Sequence, residues 1–114
     1  MIEILTLTEY ASKVLAHKND PHTLADLQIE LAVKYAFISE IFKDLQLEKA
    51  MFETNVKFAG EKPLSDTAVE SKWKITEGGS KEIKAKYELR AIEKLLSAIK
   101  SSIVVSSNEA RNLQ

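Results

Sequence analysis

Three cations stand at four-residue intervals in the second half of this sequence: Lys86, Arg90 and Lys94. On a helix that spacing brings them to about 6 Å from one another on one face. Such a ridge could follow a phosphate backbone through salt-sensitive, sequence-neutral contacts. It lies opposite the apolar line Ala85, Leu89, Ile92, Leu96. Glu82, one turn before Lys86, and Glu93, beside Lys94, offer ordinary surface pairing, so a solvated helix face is the competing reading. Lys72-Trp73-Lys74 sets an aromatic ring between two cations, the composition of a base-stacking site. Trp73 also falls in helical step with Val69 and Thr76, a position that would bury it instead. The candidate nucleic-acid contacts are therefore Lys86, Arg90, Lys94, Lys72, Trp73 and Lys74.

Catalytic chemistry finds little to work with. The absence of cysteine excludes disulfides, thiolate metal sites and Cys nucleophiles. His17 and His22 are five residues apart across Pro21, without the i, i+4 geometry of a helical metal pair. Gly78-Gly79-Ser80-Lys81 lacks the upstream glycine and the preceding strand of a phosphate loop. Glu30, Glu40, Glu48 and Glu53 do not repeat as Glu-x-x-His, so a bundle di-metal site has no support. No serine is framed by a recognisable nucleophile elbow. The chain reads as a non-enzyme with no cofactor and no metal.

The elements that must position the cations follow from composition and periodicity. The 114 residues suit one domain. Core-forming types make up 45% and charged types 29%, which is globular, and three Gly with two Pro are too few for a turn-rich sandwich or barrel. Net charge is −1, yet unevenly placed. Residues 1–64 carry seven Lys and no Arg against ten acids, whereas 72–100 carry eight basic residues against four acids. No apolar run approaches the roughly 20 residues of a membrane span, and Met1-Ile2-Glu3-Ile4 has no signal-peptide pattern. The expected location is the cytoplasm, the host's if the gene is a phage's.

Thr6-Leu7-Thr8-Glu9 is a capping box opening a short amphipathic helix through Leu15, with Ile2, Ile4 and Leu5 as an extended arm before it. Asn19-Asp20-Pro21 should end that helix. Thr23 is the next expected N-cap. From it a seam runs Leu24, Leu27, Leu31, Tyr35, Ile38, Phe42, Leu45, Phe52, Val56. Gly60 suits a left-handed C-cap, Pro63 follows, and Ser65 or Asp66 caps the return element. There the seam is Ala85, Leu89, Ile92, Leu96, Ile99, Ile103. The architecture expected is all-α. Residues 1–22 form an arm and short helix, 23–59 a long helix, 60–65 a turn, 66–106 a return helix broken or distorted at Gly78-Gly79, and 107–114 a polar tail. A short connection makes the two long helices an antiparallel, coiled-coil-like hairpin.

Each long helix has more apolar surface than one neighbour can cover. Ile29, Val33, Phe37 and Ile41 repeat at i, i+4 off the first seam, and Ile83, Tyr87, Ala91 and Leu95 do so off the second. With the turn centred near Lys62, facing residue numbers add to about 124, which sets the two stripes level. At roughly 1.5–3 kcal/mol per large side chain, covering them is worth on the order of 10 kcal/mol. The first helix could cover part, closing a monomeric three-helix bundle. The fuller solution is a homo-oligomer with these eight residues at its interface.

The layout of short helix, long helix, polar turn and return helix, with Ala98-Ile99-Lys100-Ser101 followed by apolar positions and a polar tail, resembles that of UvsY-type recombination mediators. These are small helical accessory proteins that tailed phages encode near their recombination genes. The resemblance spans roughly residues 24–114 in pattern. It implies a ring-forming homo-oligomer that binds single-stranded DNA and helps load a recombinase. The acidic first half and the lack of a basic tail depart from that pattern. The reading is thus a phage-type accessory protein for recombination and single-stranded nucleic-acid handling, whose partners are its own copies, single-stranded DNA or a recombination protein. The alternative is an inhibitor or adaptor, such as a phage counter-defence factor, that lays the apolar face on a host protein.

Overall fold

A computed structural model describes residues 6–112. Among them there are four helices and no strand: α1 (Leu7–Ala16), α2 (Pro21–Lys57), α3 (Asp66–Lys74) and α4 (Glu77–Asn112). The all-α class follows the periodicity. The proposed arm at Ile2, Ile4 and Leu5 lies outside the described residues, as do Leu113 and Gln114.

Helix ends show where local chemistry decides. Thr6 caps α1, its hydroxyl accepting from the Glu9 N–H at 3.2 Å. The cap of α2 is Asp20, not Thr23. Its carboxylate accepts the Thr23 N–H at 3.2 Å and the Thr23 hydroxyl at 2.6 Å. Pro21 therefore starts the helix that it was expected only to precede, because a first-turn residue needs no N–H partner. Ser65 caps α3 by accepting from the Ala68 N–H at 3.2 Å. Gly60 is not a left-handed cap, since no glycine has a positive φ. The chain leaves α2 at Lys57, whose carbonyl accepts from the Leu64 N–H at 3.2 Å. At the other end, α4 runs to Asn112 rather than ending at 106 before a polar tail, since no Gly or Pro follows Gly79 to stop it.

The chain divides into two compact units, Met1–Ala36 with Glu88–Gln114, and Phe37–Tyr87. In the first unit α1 closes over the two long helices. Tyr10 and Val14 are buried along with Leu24, Leu27, Leu31, Ile92 and Ile99. Lys34 lies with its ammonium 5.7 Å from the Tyr10 ring centroid. Burial first, and Glu30 second, push the Tyr10 phenol above its ordinary value. Tyr35 donates to Glu93 at 2.8 Å across α2 and α4.

In the second unit α3 takes the covering role. Val69 and Trp73 are buried with Ile38, Leu45 and Ala85. The Trp73 ring meets Phe52 at 5.4 Å and 53°. Gln46 donates to Glu82 at 2.9 Å, and Lys49 pairs with the same carboxylate at 3.6 Å. The pairs Tyr35–Glu93 and Gln46–Glu82 each add to 128 in residue number. Facing residues therefore stand about two positions further along each helix than a turn centred at Lys62 would place them. Every member of both predicted seams is buried or half-buried.

The return element is two helices rather than one rod. The break falls at Ile75-Thr76, ahead of the glycines, which occupy the first turn of α4. Thr76 organises it: its hydroxyl donates to the Trp73 carbonyl at 2.6 Å and accepts from the Gly79 N–H at 3.0 Å. The glycines are there for clearance. A Cβ on Gly79 would run into the Trp73 carbonyl oxygen and stand 2.8 Å from the Lys74 Cα. One on Gly78 would stand 2.7 Å from the Trp73 ring and 3.1 Å from a Glu48 carboxylate oxygen.

Two outcomes follow. Although Ala is the better helix former by about 1 kcal/mol, Gly79→Ala should destabilise by roughly 2 kcal/mol or more, while exposed Ser80→Ala stays within about 0.5 kcal/mol. Urea titration followed by Trp73 fluorescence measures both. The Thr23 hydrogen bonds hold the Asp20 carboxyl below its ordinary value, so the cap stabilises above the usual Asp range and is lost as pH falls through the lowered value. Asp20→Ala should melt earlier than the parent at pH 7, and the gap should close below about pH 4.

Candidate nucleic-acid and subunit interfaces

The predicted cations all reach solvent. Arg90 and Lys94, one turn apart on α4 in the first unit, are exposed, and neither takes part in an ion pair among the described residues. A shallow depression of about 310 Å³ beside them is completed by Glu93 and Ser97. Glu93, a competitor for those cations, is instead engaged by the Tyr35 hydroxyl. The same hydrogen bond raises the Tyr35 phenol above its ordinary value. Lys86, in the second unit, is likewise exposed and outside any ion pair among the described residues.

On α3 the set comes apart. Lys72 and Lys74 are exposed, with Lys74 3.9 Å from Glu70. Trp73 is only 2% exposed, so it offers no face for a base to stack on and leaves the candidate set. Packing against Phe52 and the glycine turn claims the ring, and its indole N–H finds no acceptor there. Any anion contact at this helix would be made by charge alone.

The proposed interface residues divide. Phe37 (69% exposed), Ile41, Ile83 and Tyr87 (66%), all in the second unit, are open to solvent. In the first unit Ile29 and Val33 are exposed, whereas Ala91 and Leu95 are half-buried. The 128 register also changes the partners within the second unit: Ile41 stands level with Tyr87, not with Ile83.

Leu47, Met51 and Phe58 are exposed too and lie outside the two predicted stripes. Their spacing of four and seven is helical. The sign was present in the sequence, but Lys43 and Asp44 interrupt the line from Phe37.

A concavity of about 470 Å³ lies in the second unit between α2 and α3. Its charges are already matched: Lys57 with Asp66 at 3.0 Å, Lys49 with Glu53 at 3.9 Å, and Glu70 with Lys74. No unpaired polar group converges on it as a ligand site would require. Among the described residues no cluster of His, Asp and Glu could hold a metal, and no helix is long and apolar enough to cross a membrane.

Because Trp73 is enclosed, its emission should be blue-shifted and poorly quenched by acrylamide. Adding a single-stranded oligonucleotide should leave the spectrum unchanged. A red-shifted, quenchable Trp73 would restore the stacking role.

No protein-family model, no curated protein and no solved structure matches this chain.

Proposed function

We propose that this protein is a non-enzymatic, self-associating helical accessory protein that handles single-stranded nucleic acid. Its scaffold is a coiled-coil-like antiparallel hairpin, and its closest functional type is the phage recombination mediator that its sequence resembles. The observation that carries the nucleic-acid role is Arg90 and Lys94: two exposed cations one turn apart, outside any ion pair among the described residues, beside an acid already engaged by Tyr35. Lys86, Lys72 and Lys74 add exposed positive charge. With Trp73 enclosed, binding is backbone-directed, indifferent to base sequence and steeply salt-dependent.

Fluorescence anisotropy with a labelled single strand tests this. Binding is expected at about 50 mM salt, falling by roughly tenfold or more toward 200 mM. Arg90→Glu with Lys94→Glu should weaken it by at least tenfold while leaving the helical circular-dichroism signal unchanged. Absence of binding at low salt, or indifference to that double substitution, rejects the role. A second reading rests on exposed Phe37, Ile41, Ile83 and Tyr87: an adaptor or inhibitor that lays this surface on another protein. It gains if the strand does not bind and Tyr87→Glu abolishes capture of one specific partner.

A further inference from the structure

We propose that the exposed apolar face of the second unit, Phe37, Ile41, Ile83 and Tyr87, is the place where a second copy of this chain docks, with α2 of each copy lying over α4 of the other. The inference rests on the reading of the protein as an assembly and names the surface involved.

Within this unit α3 covers only the end next to the connection, where Trp73 meets Phe52 and the glycine turn. Nine residues of helix span about 13 Å, much less than the stretch of α2 from Phe37 to Lys57. Beyond its reach Phe37, Ile41, Ile83 and Tyr87 are exposed, over Ile38, Leu45 and Ala85, which are buried. Since a large aromatic side chain can bury 150–250 Å², these four expose on the order of 400 Å². That is comparable to the largest apolar patch on a typical monomer, and about half of what each partner contributes to a standard interface. A polar rim would supply the rest.

Charge decides how the second copy lies. Asp44, three residues after Ile41, is exposed on α2 and is outside any ion pair among the described residues. Lys84, next to Ile83 on α4, stands level with it in the 128 register. A twofold axis parallel to the helices keeps levels matched and lays α2 over the partner's α4. Ile41 then meets the partner's Tyr87, and Asp44 meets the partner's Lys84, each contact made twice by symmetry. A twofold axis across the helices would lay α2 on α2 and bring the acidic edges, Glu40 and Asp44, against their own copies. Opposite charge favours the first arrangement and repulsion disfavours the second.

The test uses the full-length chain without nucleic acid, by light scattering and sedimentation velocity across a concentration series. The expected mass is twice 12.8 kDa or a multiple of that. Tyr87→Glu should return the protein to the monomer with helicity retained. Asp44→Lys and Lys84→Asp should each weaken association by roughly tenfold, since the pair occurs twice, and the double exchange should recover most of the loss. A monomer at every concentration overturns the proposal. So does an assembly that survives Tyr87→Glu, or single exchanges that the double one fails to rescue. A monomer that still binds single strands would remove this docking surface and leave the nucleic-acid reading standing.

Discussion

A helix packed on one neighbour hides one stripe of its surface, and everything notable about this protein follows from long helices that carry more than one. The core stripes of α2 and α4 are consumed by their mutual packing. The surplus is met piecemeal by two short helices, α1 in the first unit and α3 in the second. Each brings two buried side chains to the work, Tyr10 and Val14 in one case, Val69 and Trp73 in the other. Where neither reaches, large apolar side chains remain in water.

The α3 docking shows what this cover demands. Trp73 is the larger of the two side chains that α3 buries, and both its ring and its backbone come close to the start of α4. Glycine at positions 78 and 79 permits that approach, and Thr76 re-caps the chain so that a new helix can start at once. The cost is an indole N–H without an acceptor, commonly 1–3 kcal/mol for a buried donor. Burial of the ring and its contact with Phe52 offset it.

Polar groups at the helix surface are arranged with less uniformity than composition suggests. Around α3 and the end of α2 the charges are largely spent on one another, through Lys57–Asp66, Lys49–Glu82 and Lys74–Glu70. At Arg90 and Lys94 on α4 they are not, and Glu93 between them accepts from the Tyr35 hydroxyl. An unneutralised cation costs nothing in water and keeps its full attraction for an anion, so Arg90 and Lys94 are where electrostatics still has something to do.

The helical class, both core seams and the caps at Thr6 and Ser65 were legible in the residues, because periodicity and capping are local properties carried by side chains a few positions apart. The exposed interface candidates Phe37, Ile41, Ile83 and Tyr87 were legible for the same reason. Tertiary structure alone decided the rest. The helical step of Trp73 with Val69 and Thr76 left stacking on a base and packing inside both open, and burial against Phe52 decided between them. The role of Gly78-Gly79 depended on how near the Trp73 backbone comes. The register of α2 on α4 is seen only in the contacts between them, Tyr35 with Glu93 and Gln46 with Glu82. Each of these is a distance between different helices, and local residue preferences carry no information about such distances until packing sets them.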